Sequence, residues 1–330
     1  MKISLHHLLK RGVELFAAAL LATSLPAVAA TPLKIGYSDW PGFVAWQVGI
    51  EKGWFKEAGV DVQLEWFDYT ASLDAFSANK IDAVGLTNGD ALAIGATGAK
   101  SSIIIINDYS NGNDMVIAKP GIKNIKDLKG KKVGVEMGFV DHLLLLNALE
   151  KVGMTESDVT LVNSPTNELP QVLASGDVDA VSVWQPNSNV ALKLLPGSKS
   201  IYNSADAPGL IYDALTVNPA SLSSRKADWQ KVAKVWYRIV DYIYDPKTHA
   251  DAVKIMSARV GLKPAEYEPL LLGTKILTLP EAKKAFAKGD GFGSIYGSSK
   301  IVDQFNVKYA VYKQSQPIES YFDAAITNGL

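Results

Sequence analysis

Leu33-Lys34-Ile35-Gly36-Tyr37, followed by Ser38-Asp39-Trp40-Pro41-Gly42, opens the stretch whose reading decides the fold. The first five residues alternate out and in, as a strand does, and the next five are turn formers. Residues 43–56 then resume at helical spacing. The same order repeats downstream: 60–66 reads as a strand, 70–78 as a helix, 83–86 as a buried strand, 90–96 as a helix and 102–106 as a β-branched strand. Strands alternating with helices predict an α/β architecture with a parallel sheet covered on both faces.

The pattern restarts after Lys119-Pro120-Gly121. A charged approach over 125–132 leads to a strand at 133–135, a loop at 136–139 and a helix at 141–152; further strands are predicted at 159–162 and 180–183 around a helix at 168–174. Two segments echo each other, Ala75-Phe76-Ser77-Ala78-Asn79-Lys80-Ile81-Asp82-Ala83-Val84 and Val172-Leu173-Ala174-Ser175-Gly176-Asp177-Val178-Asp179-Ala180-Val181. Each is a helix end, a turn and an Ile/Val-Asp-Ala-Val entry into a strand, so two similarly built lobes are expected. A strand at 214–217 follows, and after Ser221 the chain reads as helical to its end. A chain leaving lobe 1 near 118 and returning near 210 has two crossovers and a hinge, with 209–213 as the return strand. The expected domains are 31–118 plus 211–330 as lobe 1 with a helical C-terminal tail, and 119–210 as lobe 2.

Composition narrows the function. The 330 residues are 48% hydrophobic and 20% charged, as in globular chains, and 33 basic against 34 acidic residues leave no basic excess for nucleic acid or anionic membranes. There are no cysteines, hence no disulfides, thiolate metal sites or lipidated N-terminal cysteine, and only four histidines. Lys2, Lys10 and Arg11, the apolar run 15–22 and the small residues Ala27-Val28-Ala29-Ala30 read as a signal peptide over 1–30. Its removal takes away Lys2, Lys10, Arg11 and Glu14 and leaves a net charge of −3. A cysteine-free exported protein of this size suggests a periplasm.

Lys34-Ile35-Gly36-Tyr37, Ala45 to Gly53 with Trp54-Phe55-Lys56-Glu57-Ala58-Gly59-Val60-Asp61-Val62, Lys126-Asp127-Leu128-Lys129-Gly130-Lys131-Lys132-Val133-Gly134-Val135 and Gly176-Asp177-Val178-Asp179-Ala180 occur in that order. Together they resemble the periplasmic solute-binding proteins of ABC importers in the nitrate, sulfonate, taurine and thiamine-precursor group. The chain also resembles the subgroup associated with urea or guanidine carboxylase operons. The resemblance implies a two-lobed periplasmic binding protein fold (type II, Venus flytrap), closure on one small solute, and delivery to a membrane permease. A monomer without a cofactor is expected.

In open α/β sheets ligands sit beyond the carboxyl ends of the strands. That rule nominates Asp39 and Trp40 beside Ser38, Asp68 beside Tyr69, Asn88 and Asp90 beside Thr87, and Asp108 with Tyr109. From lobe 2 it nominates Glu136, Phe139, Asp141 and Trp184 with Gln185, and from the hinge Tyr212 and Asp213. The set is rich in carboxylates and aromatics and holds no lysine or arginine. An anion would want donors and helix N-termini; carboxylates repel it. Buried acids call for a cation, indole faces attract one by about 0.5–2 kcal/mol, and a planar guanidinium uses both. The bland alternative is that Asp39, Asp90 and Asp141 cap helices and Asp68 is a solvated turn residue. Trp54 and Trp66 read as packing, and Trp229 and Trp236, seven apart, as core.

Rival functions are a small sulfonate, taurine or nitrate as ligand, a hard-cation site built from the carboxylates, and a thiamine-precursor-synthase-like enzyme. Catalysis would need a histidine or lysine nucleophile in the cleft, and none is nominated; His142, beside Asp141, could as well face solvent. Gly289-Asp290-Gly291-Phe292-Gly293 is glycine-rich, but no strand precedes it, so it reads as a turn between tail helices.

Overall fold

The computed structural model describes residues 31–330, so the signal-peptide reading of 1–30 lies outside the described residues. The strands in chain order are β1 Leu33–Tyr37, β2 Val62–Trp66, β3 Ala83–Thr87, β4 Ser102–Ser110, β5 Met115–Ala118, β6 Lys132–Val135, β7 Thr160–Asn163, β8 Ala180–Val183, β9 Lys199–Asn203, β10 Tyr212–Val217 and β11 Thr274–Ile276. They form two sheets, ordered β11-β4-β10-β3-β1-β2 and β7-β6-β8-β5-β9. Each sheet keeps a parallel trio, β2-β1-β3 or β7-β6-β8, joined by right-sized helical crossovers. The strands that carry the chain between sheets pair antiparallel, β10 with β3 and β4, β5 with β8 and β9.

The chain passes to the second sheet between Ser110 and Met115 and comes back between Asn203 and Tyr212. Met115–Ala118, read above as the end of lobe 1, therefore pairs in the second sheet; a four-residue apolar run carries no signal of which sheet will take it. The return strand starts at Tyr212 and continues through 214–217 as one element. Neither β9 nor β11 was expected. Both are edge strands of five and three residues, too short for a period-2 pattern to stand out.

Local chemistry explains the other departure. The helix expected over 43–56 is three short pieces, Pro41–Val44, Trp46–Glu51 and Trp54–Glu57, because Gly53 adopts a left-handed conformation (φ 69°) between the last two. In β4, Ile103 to Ile106 are all buried on both faces, as a central strand requires. The helix Lys226–Tyr244 lays Trp229 and Trp236 into the core, where Trp236 packs on Trp46 with ring centroids 4.5 Å apart. Trp54 is buried as expected, but Trp66 is 39% exposed. The glycine-rich turn lies between helices Leu279–Ala285 and Ile295–Lys308 and packs on the crossover: Tyr212 Oη donates to the Phe292 carbonyl at 2.8 Å. A Cβ on Gly209 (φ 83°) would come within 2.2 Å of that carbonyl, which reserves the position for glycine. Among the described residues no helix is long and apolar enough to cross a membrane.

The Trp46–Trp236 contact should carry a large share of the stability of this helical layer. Trp236→Ala is expected to destabilise the chain by about 3–5 kcal/mol, read as a lower midpoint in urea unfolding followed by far-UV circular dichroism.

Candidate functional site

Two adjoining chambers lie where the strand ends of both sheets converge. β1 and β3 point their carboxyl ends there, delivering Trp40 and Thr87. β10 runs the other way, so its first residues arrive instead, and Asp213 sits in register between Thr87 and Asp108. From the second sheet, β5 begins beside the end of β8, with Met115 opposite Val183, which brings Asp114 and Trp184 to the same place.

The inner chamber is walled by Trp40, Phe43, Tyr69 and Trp184, with Val140 and Ile211 as aliphatic wall and Thr87, Asp114 and Asp213 as its polar groups. Trp184 meets Trp40 and Tyr69 edge-on at 6.3 and 5.7 Å between centroids. About 10 Å³ remains for the centre of a water-sized group, room for about one water, so any larger group requires the walls to move. The outer chamber, about 290 Å³ on the same measure, shares Tyr69 and Trp184 as walls and adds the carboxylates of Asp39, Asp68, Glu136 and Glu168 and the ring of Trp66. Thr70, from the first-sheet side, donates to Glu136, and the Thr166 hydroxyl lies within hydrogen-bond reach of both Glu136 Oε2, at 3.0 Å, and Asp141.

Five aspartates are buried around the inner chamber: Asp90, Asp108, Asp114, Asp141 and Asp213. Among the described residues none of them is in a salt bridge. Burial pushes Asp90 and Asp114 up to about 7 and raises Asp141 well above the usual carboxylate range. Asp108 and Asp213 face each other across β4 and β10; burial raises both, and the Asp108 charge raises Asp213 further. One oxygen each of Asp108, Asp114, Asp141 and Asp213 receives no hydrogen bond. Tyr69 Oη donates to Asp90 Oδ2 at 2.5 Å and Trp40 Nε1 to Asp108 Oδ1 at 3.0 Å, so two wall aromatics are held in place by acids behind them. Burial, with Asp68 nearby, also pushes Asp39 up to about 7.

The capping alternative fails at Asp39, Asp90 and Asp141: Trp40, Thr87 and Phe139 stand at those caps, and Thr87 Oγ1 accepts from Asp90 N at 3.0 Å. Asp68 is exposed ahead of the helix Tyr69–Ser77 and accepts no capping bond, which agrees with its solvated-turn alternative. Of the nominated residues, Trp40, Trp184 and Asp213 line the inner chamber, Asp39, Asp68, Glu136 and again Trp184 the outer one. Asp90 and Asp141 lie behind the walls. Asn88, Phe139 and Tyr212 line neither: the Asn88 amide donates to Ser298 and Ser299 and accepts from Tyr212 N, and the Tyr212 hydroxyl holds Phe292. Asp114 was not nominated; its signal is the turn cluster Asn111-Gly112-Asn113-Asp114 between two apolar runs, where the chain changes sheet. Trp66, read as packing, instead offers its face: the Arg259 guanidinium lies 4.2 Å from its centroid. His142 does not face solvent; it is buried, accepts from Gly138 N at 3.3 Å and is pushed down to about 4 by burial. Among the described residues no three of His, Cys, Asp and Glu are placed to hold a metal ion, which leaves the hard-cation alternative without a ligand set there. A larger open groove of about 840 Å³ runs along Tyr37, Lys52 and Arg259, but Lys52 is already paired with Asp251 at 2.5 Å and Arg259 with Tyr37 Oη at 2.6 Å.

The NMT1/THI5-like family pattern matches residues 40–248, from the first loop of the site through the long helix of the tail. The chain belongs to that family. Over 195 residues it is 32% identical to a provisionally named binding protein of Brucella abortus (strain 2308), covering 58% of this chain and 60% of that one. It is 30% identical over 143 residues to a provisionally named aliphatic sulfonates-binding protein of Bacillus subtilis (strain 168), 41% of this chain and 43% of that one. The chain thus spans about three-fifths or less of the length of these curated relatives. Its fold is that of the alkanesulfonate-binding protein SsuA from Xanthomonas axonopodis pv. citri bound to MOPS, with a TM-score of 0.74 and 17% identity over 88% of this chain and 98% of that one. The fold is therefore the periplasmic binding protein fold.

The buried acids make a pH dependence of unusual sign. Each has a native pKa above its unfolded value, so between about pH 4 and 7 the native state binds more protons, and stability falls as pH rises through that window. Thermal melts of the ligand-free protein should give a higher Tm near pH 5 than near pH 8, and Asp213→Asn should raise the Tm near pH 8 by a few degrees.

Proposed function

We propose that this chain is the periplasmic solute-binding component of an ABC importer and that the inner chamber takes the cationic head of a small solute, guanidinium being the best match. The observation that carries the reading is the pair Asp114 and Asp213, almost wholly buried on an aromatic-walled chamber, each with a free oxygen and no basic partner among the described residues. A planar cation supplies N–H donors to those oxygens and a face to Trp40, Tyr69 and Trp184. Membership of the family and its fold support the transport role. The permease is the implied protein partner. An enzyme reading finds no support in the chambers: neither wall carries a histidine or lysine, and His142 lies outside both.

The second reading is a small sulfonate, favoured by the names of the proteins that this chain is similar to. It requires the acids to stay protonated, so its affinity would rise as pH falls. Cation capture works in the opposite direction, because the aspartates must ionise and release protons.

Calorimetry on residues 31–330 in an amine-free buffer, against guanidinium, methylguanidine, urea, taurine, an alkanesulfonate and nitrate, separates the two. A guanidinium heat whose affinity weakens below about pH 7, by up to about tenfold per unit for each proton displaced, supports the cation. A sulfonate or taurine heat that strengthens at low pH overturns it. Trp184→Ala and Glu136→Gln should both weaken capture while leaving circular dichroism unchanged; full binding by both variants would remove these residues from the site.

A further inference from the structure

Thr166 carries one hydroxyl hydrogen and stands between two carboxyls, Glu136 Oε2 at 3.0 Å and Asp141 Oδ2. It donates to only one of them at a time. The other meets it either as a bare carboxylate, oxygen against oxygen, or as an acid that donates to Thr166 Oγ1. The two acids are unequally placed. Glu136 is half-buried in the wall of the outer chamber and has a second donor, Thr70, on the helix Tyr69–Ser77 at the first sheet. Asp141 is wholly buried, and its Oδ1 has no partner. The charged groups that act on it are Glu136, Asp114 and Asp90, all acids. Ser182, from β8, donates to the Asp141 backbone carbonyl rather than to its carboxyl, and His142, next on the same helix, accepts from Gly138 N and faces Glu156 at 3.8 Å.

We propose that Asp141 keeps its proton at neutral pH and starts a hydroxyl relay between the two sheets: Asp141 O–H donates to Thr166, Thr166 O–H to Glu136, and Thr70 O–H to Glu136 from the other side. Asp141 and Thr166 are thereby positioning residues. They hold Glu136 as an ionised acceptor aimed across the cleft, and the proposal rests on the solute-binding reading only in taking Glu136 as a wall of the site. Loss of the Asp141 proton reverses the relay. Thr166 then turns its hydrogen to the Asp141 carboxylate, Glu136 keeps Thr70 alone, and two like charges lie one hydroxyl apart. Burial holds the Asp141 carboxyl well above the usual carboxylate range, so the contact between the sheets is present at neutral pH and weakens as pH rises through that titration.

The test uses residues 31–330 without ligand, so its outcome does not depend on which solute the chain binds. The chain has no cysteine, which allows one spin-label pair at Asp74→Cys and Gln171→Cys. Both positions are exposed, on the helix that carries Thr70 and on the helix Leu169–Ser175 that follows Thr166. Double electron–electron resonance then reads the separation of the two sheets. The ratio of short to long separations is expected to fall by about fivefold between about pH 6 and pH 9, the factor that one hydrogen bond contributes. Thr166→Val should lower it to a similar extent near pH 6, and Thr166→Ser should restore it. Asp141→Asn supplies an N–H donor that cannot ionise, so it should keep a larger short fraction near pH 9 than the labelled parent. In parallel, carbon-13 NMR of the aspartate carboxyls, assigned with Asp141→Asn, should show Asp141 protonated near pH 7. An ionised Asp141 at that pH overturns the proposal. So does an Asp141→Asn variant that follows the pH course of the parent, or a parent with no short separation at any pH.

Discussion

The arrangement turns on one electrostatic constraint: five aspartates are taken out of water at the meeting of two sheets, and among the described residues no salt bridge compensates them. A carboxylate in such surroundings either keeps a proton or waits for a cation, since an unpaired buried charge costs several kcal/mol. The local hydrogen bonds follow from this. Tyr69 and Trp40 turn their donors toward Asp90 and Asp108, and in doing so present their rings to the chamber. Acids behind the wall thereby orient the aromatic surface in front of it.

Such a site opposes the stability of the empty protein and favours it when filled. The native state holds protons that the unfolded chain would release, and a bound cation would replace them. Contacts that cross between the sheets, Thr70 with Glu136 and Trp184 with Trp40 and Tyr69, involve the same residues that wall the chambers. On the solute-binding reading proposed above, closure and ligand recognition would draw on the same set of interactions. The similar proteins named for sulfonates share the fold, and a fold does not select its ligand; the lining side chains do.

Much of this was legible before any coordinates. Period-2 strands alternating with helical spacing, and the paired Ile/Val-Asp-Ala-Val entries, pointed to two α/β halves, and the strand-end rule led to Trp40, Trp184 and Asp213 on the inner wall. The failures have physical causes. Asn88 sits at a strand end but is consumed by Ser298 and Ser299, more than 200 residues later in the chain. Asp114 follows no parallel strand; it enters the site because β5 belongs to the second sheet, a pairing that short apolar runs do not encode. Trp66 looked like core because aromatic strand residues usually are, and nothing local announced Arg259 as its partner.

What the sequence by itself determined is what depends on neighbours along the chain: the order of strands and helices, the two-part plan, and a set of acids and aromatics without bases at the strand ends. What only the tertiary structure decided is which of those acids share a chamber and which stand behind its walls. That depends on strand direction and on which sheet each crossover strand joins. A reversed strand such as β10 delivers its first residues where a parallel strand would deliver its last, and no local spacing records that choice.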